Sequence, residues 1–389
     1  MDSNNFLNIH VIISHSPSCL NRDEMNMQKS AVFGGARRVR YSSQSLKHWM
    51  RKSDYFEQNL PGVSTRTRAM AEEIEKTLKE KTKLDDKILR EMVIEAIEIL
   101  VSKPNERWLK KDRIFTQIMP WSDDEKGKVI KVLEEIAKSN TSAKDRKTAI
   151  ENALRKNTSN LADIFSKGAD IGLFGRMSTS SFMPSIDGAV SVAHPITTHE
   201  VDADVDWFTA VDDLVEKDIS DDPDQGAAHM NTQEFSSGVF YRYASVNLKQ
   251  LQVNLGLLSD MKAQEKVEGR KKALEISAHL LHLLATVVPS AKQRSFAAFN
   301  PADLVMASFS DIPISAANAF ETPVGLERSG GYLQPSIKAF DDYISRVYSG
   351  YGLDDKKAVF SLWNTTLEQK KNTLDNLKEW VRNNGEEKK

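Results

Sequence analysis

Asn8-Ile9-His10-Val11-Ile12-Ile13 is an unbroken β-rich run close to the N-terminus. A strand with one covered face alternates apolar and polar residues, whereas a run without alternation predicts burial on both faces. A sheet therefore starts early. Outward from it, Phe33-Gly34-Gly35 marks a tight turn, residues 37–41 read as a short basic strand, and Ser42-Ser43 offers a hydroxyl cap for a helix over 44–52. β-Character returns at 188–196, 235–246 and 304–309. Between these segments the composition turns to Ala, Glu, Lys, Leu and Ile. Met70, Ile74 and Leu78 and then Leu89, Met92, Ile97 and Leu100 fall at helical spacing, and a second helical block runs over 123–165. Residues 66–165 read as a helical insertion into a sheet domain. Further helices are predicted over 270–288, 336–349 and 366–382. Strands alternating with helices give an α+β or α/β sheet core. The long excursion before the strand at 235 suggests a hairpin-like protrusion.

The chain of 389 residues, with 40% apolar residues and a net charge of −2, suffices for a buried core and allows two or three domains. Its longest apolar stretch, 280–288, falls far short of the roughly 20 residues a bilayer span needs. No basic and apolar leader opens the sequence, so no membrane partner and a cytoplasmic location are expected. The single cysteine, Cys19, excludes an internal disulfide and any cysteine-built metal or iron–sulfur site. No cofactor motif is present: GxSxG, HExxH and the phosphate-binding P-loop are all absent.

The charge is not evenly spread. Residues 22–52 carry eight basic side chains, Arg22, Lys29, Arg37, Arg38, Arg40, Lys47, Arg51 and Lys52, against two acids, a local +6. In the helix that closes this segment, Gln44, Lys47, His48 and Arg51 fall at i, i+3, i+4 and i+7, while Leu46, Trp49 and Met50 share the other side. The helix N-terminus adds backbone N–H groups and partial positive charge beside Ser42 and Ser43, an arrangement suited to phosphates. Such donors hold a nucleic-acid backbone without reading its sequence. The plain alternative is a solvated basic helix and strand.

Gly172-Leu173-Phe174-Gly175-Arg176-Met177 sets a charge next to a flexible apolar side chain, a possible wedge between bases; a glycine loop with Met177 in the core is the alternative. Glu200, Asp202, Asp204 and Asp206 alternate with Val or Ala, which predicts a strand with four acids on one face. Residues 200–224 hold eleven carboxylates against the one Lys217, a local −10. Paired carboxylates can hold Mg²⁺ in a nuclease, but spacing along one strand does not make them converge on an ion; a solvated or partner-facing acidic edge is the simpler reading. His279 and His282 lack a third ligand nearby and read as helix packing. Tyr241 and Tyr243 flank Arg242 on a strand, suited to base stacking or to ordinary sheet packing.

Several of these segments together resemble one family. The stretch 5–22, Met25-Asn26-Met27-Gln28-Lys29, Phe33-Gly34-Gly35, Ser42-Ser43-Gln44-Ser45-Leu46-Lys47, Gly175-Arg176-Met177, Thr197-Thr198-His199, 206–213, 232–238, Phe299-Asn300-Pro301-Ala302-Asp303 and 380–385 are similar to the CasC-type backbone subunit of the type I-E CRISPR surveillance complex, Cascade. The similarity runs over nearly the whole chain and is weakest over about 70–160 and near 215–225, 258–270 and 322–331. It implies an α+β fold with an RRM-like (ferredoxin-like) palm over 1–65, 166–199 and 236–389, the last including the C-terminal helices. Helical fingers would occupy 66–165 and a thumb hairpin 200–235.

The resemblance further implies a non-catalytic subunit that assembles head to tail with copies of itself along CRISPR guide RNA. It would present the guide for pairing with target DNA in antiviral defence, among other Cascade subunits. Carried over by matching motif, the RNA-binding residues are Arg22, Lys29, Ser42, Gln44, Lys47 and Arg51, with Arg66 and Thr67; Arg38, Arg40 and His48 join them from the basic segment and its helix face. Arg176 and Met177 stand at the palm-side wedge, and Met230 and Thr232 on the thumb, where Met230 replaces the family's leucine. The acidic segment is expected to register one subunit on another. Related type III subunits cut RNA with an aspartate, which keeps a metal-dependent nuclease using 200–206 as the competing expectation, beside a protein-interaction module with an incidental basic surface.

Overall fold

The structure, a computed structural model, describes residues 4–60, 62–82, 84–101, 118–139, 143–162, 168–178, 183, 185–202, 204–211, 227–290 and 292–387. In chain order its strands are β1 (Phe6–Ser18), β2 (Ser30–Phe33), β3 (Ala36–Val39), β4 (Thr65–Thr67), β5 (Met119–Trp121) and β6 (Val190–Val192). They continue as β7 (Ile196–Thr197), β8 (Asp204–Val211), β9 (Ala227–Asn247), β10 (Leu304–Ser310), β11 (Lys356–Ser361) and β12 (Lys370–Lys371). The chain divides into two compact units. One comprises Met1–Ser53, Val192–Ser245 and Ala278–Lys389; the other comprises Asp54–Ser191 and Val246–Ser277.

The first unit is built on the large sheet, in the order β12-β11-β10-β1-β9-β6, with β7 and β8 also paired to β9. β1 runs antiparallel to β10 from Phe6↔Ser310 to Ile12↔Leu304, and β10 runs antiparallel to β11. Leu7 through Ile13 are all buried, so both faces of β1 are covered, as its unbroken run implies. On one face, Ile12, Tyr241, Tyr243, Leu304, Met306 and Val359 pack with Ile337, Phe340 and Ile344 of the helix Leu333–Gly350. The polar groups on that face find partners. Tyr241 Oη lies 2.8 Å from His10 Nδ1 and accepts the Ala316 N–H at 2.9 Å, and the Tyr243 hydroxyl donates to Asn8 at 2.9 Å. Both tyrosines thus belong to the sheet core and not to a stacking surface. β8 and β9 form a long antiparallel pair from Asp204↔Phe235 to Val211↔Ala227, with an irregularity between Thr209 and Val211.

The second unit is mainly helical. Met70, Ile74 and Leu78 of the helix Met70–Lys81 pack with Leu89, Met92, Ile97 and Leu100 of Asp86–Val101, and with Val129, Ile130 and Leu133 of Asp123–Lys138. The short pair β4 and β5, in register Thr65↔Trp121, closes the chain where it enters and leaves the first two helices. Ser122 and Glu125 form a reciprocal cap on the helix Asp123–Lys138, each side chain serving the other's backbone N–H.

Candidate nucleic-acid interface

The helix α1 (Ser43–Lys52) carries the centre of the basic segment. It starts at Ser43 because the Ser42 hydroxyl accepts the Ser45 N–H at 3.1 Å, while Asn21 Oδ1 accepts the Ser42 N–H at 3.0 Å. Leu46 and Met50 are buried, leaving Gln44 and His48 exposed and Lys47 and Arg51 half-buried on the other side. Arg51 and Lys52 occupy the last turn, where cations are favourable to the helix dipole.

Two further segments converge on this helix. The first is a braced loop: Asp23 Oδ1 accepts the N–H groups of Met25 and Met27 at 2.9 Å each, and Arg22 donates to Asn26 Oδ1 at 3.0 Å. The second is the hairpin of β2 and β3, whose turn residues Gly34 and Gly35 have φ of 60° and 76°. A Cβ on Gly34 would stand 1.6 Å from the Glu321 carbonyl oxygen, so the turn needs glycine for space as well as for conformation. Lys29 and Arg40 are joined by their backbones, Arg40 N–H to Lys29 O at 2.9 Å, and the Arg40 guanidinium donates to Ser30 O.

His194, which the sequence does not single out, lies among these cations. Its Nδ1 is 3.3 Å from the Ser43 N–H and 3.5 Å from Arg40. Burial and then the charges of Arg40, Lys29 and Lys47 hold its pKa below the ordinary value. His194 thus touches both the start of α1 and Arg40, which follows β3, and Arg40 is tied in turn to Lys29, so these separate stretches meet on one positive surface.

Two expected contacts lie elsewhere. Arg38 is fully buried, donating from Nη1 to Thr197 O at 3.0 Å and from Nη2 to Phe320 O and Glu321 O at 3.0 and 3.3 Å. Strand alternation brings Arg37 to the surface in its place, 3.6 Å from Glu234. Arg176 is also buried, in the second unit, with Nη1 2.6 Å from Glu125 Oε1. This corrects the reading of both as surface contacts: each is held by groups remote in sequence. Next to Arg176, Met177 is 78% exposed, not in the core. The turn that presents it depends on Gly175, at φ 75°, where a Cβ would meet the Ile186 carbonyl oxygen at 2.6 Å.

Arg66 is exposed and Thr67 half-buried on β4, in the second unit. Thr232 is half-buried on β9 opposite Trp207; Met230 stands opposite Thr209, and its side chain lies outside the described residues.

The acidic run also departs from expectation. Glu200 and Asp202 precede β8, which begins at Asp204, and Asp204, Val205 and Asp206 are all exposed while Val201 is buried. The four carboxylates therefore do not form one strand face. Residues 212–224, with all seven remaining acids, lie outside the described residues. Among the described residues no three His, Cys, Asp or Glu side chains are grouped to hold a metal ion, and no helix is long and apolar enough to cross a membrane.

A model of the CT1975-like protein family matches residues 7–383. Comparison with curated proteins gives no match. Among solved structures, a chain described as "CRISPR RNA-guided surveillance complex, pre-nicking" is similar at a TM-score of 0.75 and 28% identity, covering 97% of this chain and 100% of that one. A second, described as "CRISPR RNA-guided surveillance complex", shares the fold at a TM-score of 0.69 and 24% identity, over 96% and 99% of the two chains.

Proposed function

The chain belongs to the CT1975-like protein family, and from that premise we propose that it is a non-catalytic, guide-RNA-binding backbone subunit of a type I-E CRISPR surveillance complex. The observation that carries this reading is the positive surface of α1, the loop before it and β3, on a chain 28% identical over its length to one from an RNA-guided complex. Lysines, arginines and a capped helix N-terminus grip phosphates whatever the bases are. A guide must leave its bases to the target strand, so regular backbone grips suit a subunit whose specificity is delegated to base pairing.

In this reading the sheet unit is an RRM-like palm, the helical unit holds the fingers, and the pair β8 and β9 is a thumb. Met177, which is exposed, and Met230 would act as separators between bases. Copies of the chain would repeat head to tail along the guide, since an interface that does not close generates a filament. The acidic stretch from Glu200 supplies charge opposite to the α1 surface of a neighbouring copy. Target DNA would be bound through the guide, and the other partners would be further subunits of the complex.

The test is the salt dependence of RNA binding. Each phosphate contact on a single strand contributes about 0.7 to the slope of log affinity against log salt. The double variant K47A/R51A should therefore bind more weakly and show a slope smaller by about 1.4. An unchanged slope would remove these residues from the contact set.

A further inference from the structure

Beside the basic face of α1 the first unit carries a hollow of about 290 Å³, lined by Asn21, Arg22, Asp23, Asn26, Ser45 and Trp49 among others. Its size is at the lower end of the roughly 300–1,000 Å³ typical of small-ligand pockets, room for a single nucleotide and not for a duplex. The polar wall is already braced. Asp23 holds the N–H groups of Met25 and Met27, Arg22 holds Asn26 in a left-handed turn at φ 63°, and Asn21 is tied to the backbone N–H of Ser42 at the cap of α1. Ser45 and Trp49 are one helical turn apart, on a strip of α1 next to the Gln44, Lys47, His48 and Arg51 face.

The lining selects among ligands. A phosphate would meet the Asp23 carboxylate, which repels it. A purely apolar group would cut off from water the donors and acceptors that the carboxylate, the two amides and the guanidinium keep beyond their bonds within the loop. A planar ring with donors and acceptors on its edge meets both requirements, because an indole offers a stacking plane and the amide and carboxylate groups offer edge partners.

We propose that this hollow takes one unpaired nucleobase of the RNA strand held by α1, stacked on Trp49 with its edge against Asp23 and Asn26. The proposal rests on the reading of the α1 face as an RNA grip. It adds to that grip a component of affinity that depends on the base and not on phosphate charge.

The experiment measures affinity of the full chain for a single-stranded RNA oligomer, and for the same oligomer with abasic sites, across a salt series. Base–aromatic stacking contributes about 1–3 kcal/mol per base, a factor of roughly 5 to 150. W49A should therefore bind the intact oligomer about tenfold or more weakly at every salt concentration, with the slope of the wild type. W49F, which keeps a stacking ring, should stay within about threefold of the wild type, and wild type and W49A should bind the abasic oligomer equally. Intact-RNA affinity unchanged in W49A would overturn the proposal, as would equal losses in W49A and W49F or an equal loss on abasic RNA, which would make Trp49 a brace for the helix. If K47A/R51A lowers the salt slope while W49A is neutral, the hollow falls and the RNA grip stands. If the wild type binds no RNA, both fall.

Discussion

Arg176 holds its guanidinium against Glu125 in the second unit, with neither side chain exposed. Burial pushes the Glu125 carboxyl above its usual range, against the pull of Arg176, so the pair sits where an uncompensated charge is most costly. Removing the cation alone in R176M should cost about 3–5 kcal/mol of that unit's stability in urea unfolding. Gln at position 125 keeps an oxygen for the Ser122 N–H of the helix cap, so E125Q added to R176M should recover at least half of the loss. Losses that simply add would contradict this. The same pair explains why Arg176 could not be placed from sequence: its neighbour Met177 and the glycine before it were legible, but a partner fifty-one residues away was not. Arg38 repeats the lesson, since its acceptors Thr197, Phe320 and Glu321 belong to distant segments.

Elements were legible where a local pattern agrees with burial. β1 announced itself because both faces are covered, and α1 because its charged and apolar residues separate at helical spacing. The expected strand over 188–196 is instead β6 and β7, separated by a gap that holds Pro195, a residue that cannot donate to a sheet ladder. The expected helix over 366–382 begins at Leu374, where the Thr373 hydroxyl caps the Asn376 N–H, because Lys370 and Lys371 pair with β11. β11 itself, Lys356–Ser361, carried no signal strong enough to single it out.

β1 also sets a pH dependence. Burial lowers the pKa of His10 and of His15 from 6.5 to about 3, with Arg242 adding to the effect at His15. Between about pH 3 and 6.5 the unfolded chain then binds protons at these positions that the folded chain refuses, so stability falls as pH drops through 6.5. Each histidine should contribute about 1.4 kcal/mol of loss between pH 7.5 and 5.5. Buried carboxyls raised by desolvation, such as Asp303 and Glu125, act in the opposite direction, so the contribution is isolated by comparison with a variant. H15Q should lose about 1.4 kcal/mol less than the wild type over that range in urea unfolding. Equal losses would place the ionisation of His15 elsewhere.

Across the whole molecule, the net charge of −2 is a sum over opposed regions: +6 over 22–52 and −10 over 200–224. Near-neutrality by itself argues neither for nor against a polyanionic partner; segregation of the two signs does. The structure supports one side of that segregation directly, by gathering Lys29, Arg40 and Lys47 around His194, a residue with no motif of its own. Under the proposed function the basic surface would hold RNA and the acidic run would meet a neighbouring copy. The most direct measurement is the length of RNA that survives nuclease treatment of the assembly purified with its nucleic acid. The account predicts a discrete species of guide length, spanning several copies of the chain. RNA of no defined length, or none at all, would contradict it.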